Sequence, residues 1–157
     1  MSVNRSQNHT STLIVEGGHR LGGCVDVEGN KNAALPLMAA CLLTDQPCVL
    51  DNVPRIKDVA VMGELVRGLG AEVEGLGTNT VRLHCKKLST DQPDPSLVGR
   101  LRGSVLLVGP LLARLGCARL AQPGGDFPAR RTLEAHLQAL RAMGVIERQG
   151  DGHILDA

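Results

Sequence analysis

Positive side chains stand at the expected starts of three helices, where the helix dipole favours anions: Lys31, then Arg102, then Arg130 with Arg131. Each placement costs stability on its own. An anionic ligand offsets that cost, because free backbone N–H groups beside Lys or Arg make a phosphate or carboxylate site. For any single residue the plain alternative is a long side chain solvated at a loop. Gly29-Asn30-Lys31-Asn32 opens one of these helices, and its glycine lets backbone approach a ligand closely. Pro123-Gly124-Gly125-Asp126-Phe127 is a second glycine loop and carries one carboxylate. Asp126 serves either as a cap or solvated loop residue, or as a proton donor or acceptor beside a phosphate held at Arg131. His136 reads as a helix-face histidine without a catalytic role.

Composition narrows the ligand class. The chain has 157 residues, 43% hydrophobic and 21% charged, with 17 Lys and Arg against 16 Asp and Glu and a formal charge of +1. That is enough apolar material for one core, and too little net charge to collect nucleic acid or anionic lipid. Phe127 is the single aromatic residue, which excludes base-stacking platforms and aromatic cation cages. No nucleic-acid or membrane partner is expected. The longest apolar stretch, Val105 to Ala113, falls well short of the roughly 20 residues a membrane span needs. Residues 1–12 are polar and read as a disordered tail without a secretory signal, which places the protein in the cytoplasm. Cys24, Cys41, Cys48, Cys85 and Cys117 are scattered through apolar segments without metal-ligand spacing, so buried free thiols are expected, with no metal and no cofactor.

The elements that must position the cations follow from periodicity. Residues 13–28 read as N-terminal strands, Thr12 to Val15 and Cys24 to Val27. Asn32 to Leu43 is apolar nearly all round, a buried helix with Pro36 near its start. Cys48 to Leu50 is a short strand, and Asp58 is expected to cap a helix carrying Val59, Met62, Leu65, Val66 and Leu69 and ending at Gly70. Strands Ala71 to Glu74 and Thr80 to His84 follow. After a connector at 89–98 the order recurs: helix Ser104 to Arg114, strand Cys117 to Ala121, helix Thr132 to Met143, strands Val145 to Arg148 and His153 to Leu155. Pro36 and Pro110, Leu37 and Leu111, Ala39 and Ala113, Arg67 and Arg141, and Gly70 and Gly144 are each 74 residues apart, the mark of a duplication. The expected units are therefore 29–88 and 99–157, and two such units leave apolar surface uncovered, so self-association is expected.

The residues themselves carry a resemblance. Gly29-Asn30-Lys31-Asn32-Ala33-Ala34-Leu35-Pro36, Asp51-Asn52-Val53-Pro54-Arg55-Ile56-Lys57-Asp58-Val59, Leu101-Arg102-Gly103-Ser104 with Gly109-Pro110-Leu111, and Pro123-Gly124-Gly125 followed by Arg131 together resemble the UDP-N-acetylglucosamine enolpyruvyl transferases. The likeness runs from about Leu13 onward. Asn32 after Lys31 separates it from the sister 5-enolpyruvylshikimate-3-phosphate synthases, which normally carry serine there. The resemblance implies an α/β fold of repeated βαβαββ units in an inside-out α/β barrel, with two repeats present here and the chain truncated relative to the family. It implies transfer of enolpyruvyl from phosphoenolpyruvate to the 3-hydroxyl of UDP-N-acetylglucosamine, the first committed step of peptidoglycan synthesis. By position, Lys31 would bind phosphoenolpyruvate, Asn32 would contact substrate, Arg102 would meet the UDP-sugar and Arg131 the phosphate. Arg131, Thr132, Leu133, Glu134 and Ala135 would line the nucleotide site.

Two departures stand out. Asp126 occupies the place where most members carry a cysteine that donates the proton and is alkylated by fosfomycin, so the resemblance implies a carboxylic acid donor and fosfomycin resistance. Arg131-Thr132-Leu133-Glu134 stands where Arg-Pro-x-Asp is usual. The family is well over twice as long, and its general base and several substrate arginines lie in a part this chain does not contain. An N-terminal portion, either a fragment or one half of a split enzyme that works with a complementing C-terminal half, is the first reading, and a non-catalytic binding or partner module that keeps the fold is the second.

Overall fold

The computed structural model describes residues 14–20, 22–124, 132–150 and 152–157. Helix α1 (Lys31–Ala40) begins at Asn30, whose side chain accepts from the Asn32 N–H at 2.7 Å, and runs into a 3-10 turn, Cys41–Leu43. Strand β1 (Cys48–Leu50), helix α2 (Lys57–Gly68) and strands β2 (Glu72–Glu74) and β3 (Val81–His84) complete a first group. A short helix α3 (Pro95–Val98) follows, then a 3-10 segment Arg102–Leu107 leading into α4 (Val108–Leu115). Strand β4 (Cys117–Leu120), helix α5 (Glu134–Ala142), β5 (Ile146–Gly150) and β6 (Gly152–Asp156) form the second group.

The fold is mixed α/β, with two antiparallel three-stranded sheets in the orders β1-β3-β2 and β4-β6-β5. In each, the last strand is central. The turns closing α2 and α5 also match: Gly70 (φ +106°) and Gly144 (φ +96°) take left-handed backbone, with Ala71 N–H donating to Val66 O and Val145 N–H to Leu140 O. One continuous apolar cluster joins the helices to the inner sheet faces, with Met38, Leu42, Met62, Leu65, Leu83, Leu107, Leu111 and Leu155 almost wholly buried.

Arg114, at the end of α4, ties the second group to the first. Its guanidinium donates to the carbonyls of Leu42 at 3.1 Å, Thr44 at 3.4 Å, Cys85 at 2.7 Å and Lys86 at 2.8 Å. Those carbonyls include ends of the first helical run, so the arginine acts as a cap supplied from a distant part of the chain. Arg119 on β4 holds the segment before α3 in the same way, its backbone N–H reaching Asp91 O at 2.9 Å and its side chain the Asp91 carboxylate at 2.7 Å. Burial works against the charged Asp91 carboxylate, but Arg119, a backbone N–H and the Cys117 thiol outweigh it and hold its pKa below the usual range.

Several sequence expectations are corrected. Among the described residues, 14–20 and 22–30 contain no strand, and Ile14, Val15, Val25 and Val27 are exposed, because alternation alone does not make a strand without a neighbour to pair with. The first helix is not buried all round: Leu37 and Leu43 are about half exposed. Asp58 is not the cap of α2; the N-cap position is held by Ile56, which makes no side-chain cap, and Asp58 lies in the first turn instead. Of the five cysteines only Cys41 and Cys85 are buried; Cys48 and Cys117 are half-buried and Cys24 is exposed. No helix among the described residues is long and apolar enough to cross a membrane.

Candidate functional site

A cleft of about 520 Å³ opens between the start of α1, the start of α2 and the segment joining α3 to α4. Lys31, Asn32, Asp58, Arg100 and Arg102 supply its polar lining, and Leu35, Pro36, Leu101, Gly103, Val105 and Leu106 the remainder. Three of the sequence-predicted residues thus meet there, although 71 positions separate Lys31 from Arg102.

Local structure explains the convergence. The Gly29-Asn52 contact sets the entry to α1, since a Cβ on Gly29 would fall 1.6 Å from the Asn52 carbonyl oxygen. Only glycine fits there. Asn52 itself takes left-handed backbone (φ +55°), leading the chain from β1 past Gly29 and on to α2. The opposite wall is brought up by Gly103, whose missing Cβ leaves room for Leu35 of α1 at the distance of tight contact. Pro123-Gly124 passes behind that wall: Gly124 N–H donates to Val98 O at 3.1 Å, and a Cβ on Gly124 would strike the Gly99 carbonyl.

The Lys31 ammonium is paired with the Asp58 carboxylate, with half of the lysine side chain and a third of the aspartate exposed. An acid from the first turn of α2 therefore offsets the cation that α1's own dipole disfavours. Sequence reasoning missed Asp58 and Arg100 as lining residues. The cleft's polar lining carries three cations against one carboxylate, which suits an anionic ligand.

Other predicted residues lie elsewhere. Thr132 is exposed, and Leu133 is buried where α5 begins. Glu134 accepts from Arg141 at 2.8 Å, and Ala135 is exposed on α5; none of these four lines the cleft. Asp126, Arg130 and Arg131 lie outside the described residues. Arg141 also pairs with Glu147, which receives His153 Nδ1 at 2.8 Å. His153, then Arg141, hold the Glu147 carboxyl below the usual range. His136 lines no part of the cleft. Among the described residues, no group of three or more His, Cys, Asp or Glu side chains could hold a metal ion.

The structure is thus that of an α/β protein with a cationic cleft between helix starts. The chain belongs to the EPSP synthase family: the family model described as EPSP synthase (3-phosphoshikimate 1-carboxyvinyltransferase) matches residues 15–152. Among curated proteins it is 50% identical over 131 residues to the UDP-N-acetylglucosamine 1-carboxyvinyltransferase of Bradyrhizobium diazoefficiens, covering 83% of this chain and 30% of that protein. It is 48% identical over 134 residues to the protein of the same name from Treponema pallidum, covering 85% and 32%. Among solved structures, the enolpyruvyl transferase NikO from Streptomyces tendae superposes with a TM-score of 0.75 at 29% identity, over 90% of this chain and 31% of that one. The chain thus spans about a third of the length of these relatives.

Proposed function

We propose that this chain supplies part of the site of an enolpyruvyl transferase that moves the enolpyruvyl group of phosphoenolpyruvate to the 3-hydroxyl of UDP-N-acetylglucosamine, releasing phosphate, for peptidoglycan synthesis in the cytoplasm. The observation that carries this reading is the meeting of Lys31, Asn32 and Arg102 in one cleft. In this reading Lys31 exchanges Asp58 for the phosphoenolpyruvate anion, Asn32 contacts substrate and Arg102 meets the UDP-sugar. Asp126 is the proton donor, Arg131 binds phosphate, and Thr132, Leu133, Glu134 and Ala135 line the nucleotide side. The two groups of elements are copies of one βαβαββ unit in an inside-out α/β barrel, which the matching sheet orders and the paired Gly70 and Gly144 turns support.

The relatives' greater length supports a need for groups that this chain does not hold, furnished by a complementing C-terminal half; self-association covers apolar surface in its absence. A binding module without turnover is the second reading. It is favoured by Glu134, which is engaged by Arg141 rather than facing the cleft.

Calorimetric titration with phosphoenolpyruvate and UDP-N-acetylglucosamine, with and without a polypeptide carrying the remaining family length, tests the first reading. Lys31→Ala should weaken phosphoenolpyruvate binding by about 1.5–3 kcal/mol, the scale of a charged hydrogen bond. Binding of neither ligand at millimolar concentration, even with the complementing polypeptide, would overturn it. Ligand binding without phosphate release in the complemented mixture would select the second reading.

A further inference from the structure

We propose that Arg100 is a specificity-determining residue of the cleft, contacting the linked phosphates of a nucleoside-diphosphate ligand alongside Arg102. The proposal rests on the cleft being the substrate site. Leu101 is in extended backbone (φ −137°, ψ 109°), so the residues on either side of it project to the same face, opposite its own side chain. Leu101 is 3% exposed and belongs to the core. Arg100 and Arg102 are thereby turned together onto the cleft, and both line it.

The backbone beneath Arg100 is held firmly. Its N–H donates to Leu97 O at 3.0 Å and the Gly99 N–H to Pro95 O at 2.9 Å, at the end of a helix that Asp94 caps by accepting from Ser96 N–H at 2.7 Å. Its guanidinium, in contrast, is exposed and makes no ion pair or hydrogen bond among the described residues. Arg67, Arg114, Arg119 and Arg141 are all spent on carbonyls or carboxylates. Arg100 is therefore placed by the fold without being used by it. The Arg100 guanidinium adds a planar fork of donors to the lining beside Arg102, which suits a second, linked phosphate and which a single carboxylate or phosphate does not need. Arg100 accordingly acts on the UDP-sugar and little on phosphoenolpyruvate, which Lys31 takes at the start of α1.

The test is calorimetric titration of the parent chain, Arg100→Gln, Arg100→Lys and the surface control Arg82→Gln, each with the polypeptide carrying the remaining family length present, with UDP-N-acetylglucosamine and with phosphoenolpyruvate at low and high salt. Arg100→Gln should weaken the UDP-sugar about tenfold and phosphoenolpyruvate less than about twofold, with a shallower salt dependence for the UDP-sugar alone. Arg100→Lys should recover part of the loss, and Arg82→Gln should match the parent. Equal loss for both ligands would overturn the proposal, since a general field would then suffice. So would unchanged UDP-sugar binding in Arg100→Gln beside a parent that binds, which would leave the proposed function standing. A parent that binds neither ligand even in the presence of that polypeptide would overturn both.

Discussion

Lys31 of α1 and Asp58 of α2 form an ion pair in the lining of the cleft, so the lysine assigned to phosphoenolpyruvate is already engaged by a carboxylate of the same chain. The pair is partly solvated, and such pairs contribute about 1 kcal/mol or less. An incoming phosphate or carboxylate on a small dianion can therefore displace Asp58 at little cost.

Asp58→Asn should bind phosphoenolpyruvate a few-fold more tightly than the parent, because the substitution removes both a competitor for Lys31 and a like charge from the anion's surroundings. Titration at low ionic strength reads the change, and raising salt should shrink it. Weaker binding would mean that Asp58 orients Lys31 rather than competing for it.

Arg114→Ala should be among the most damaging single changes outside the cleft. It removes donors from the carbonyls of Leu42, Thr44, Cys85 and Lys86 at once and cuts the tie between α4 and the first group of elements. A loss of about 2–3 kcal/mol is expected, or about 4–12 °C in Tm for a chain of this size. Arg114→Lys should recover only part, having no planar fork to spread over several acceptors. A melting temperature within 2 °C of the parent would contradict the capping role.

What was legible in the sequence, and what was not, divides along the same line. Lys31 and Arg102 could be found because a cation at a helix start is a local oddity visible without a structure, and Asn32 was found through the family resemblance alone. The Gly70 and Gly144 turns were legible because a left-handed helix end demands glycine locally. Asp58 was misread as a cap since its actual partner, Lys31, sits 27 positions away. Arg114 gave no signal at all: its acceptors are backbone carbonyls, which every residue has. Cys24 to Val27 alternates like a strand, yet alternation specifies a face and not a partner, and the segment stays exposed. Arg100 escaped notice because the direction of its side chain depends on the extended backbone at Leu101.

Glu147 should govern part of the acid sensitivity. Its carboxyl is held below the ordinary range by His153 and Arg141, so its charged form stabilises the fold fully above the unfolded pKa of about 4.3. That contribution is lost as pH falls through the lower, folded value. Glu147→Gln should therefore reduce stability at pH 7 while changing little once the pH lies below the folded value, flattening the acid limb of a denaturation profile. An equal loss at both pH values would assign the effect to packing instead.

The role of proton donor proposed for Asp126 has an observable consequence. Fosfomycin alkylates a thiolate, and a carboxylate is a far poorer nucleophile toward an epoxide, so activity reconstituted with this chain should resist the drug. Asp126→Cys should restore sensitivity. The same substitution should move the upper limit of activity with pH, because a proton donor must stay protonated and the unperturbed pKa of Asp, about 3.9, lies far below the roughly 8.5 of Cys. Activity should then persist to higher pH in Asp126→Cys than in the parent. Time-dependent inactivation of the parent by fosfomycin, with an adduct mapped by mass spectrometry to Asp126, would remove the argument. An adduct on Cys24, the one cysteine exposed to solvent, would leave the assignment of Asp126 intact and place the reactivity on a thiol outside the cleft lining.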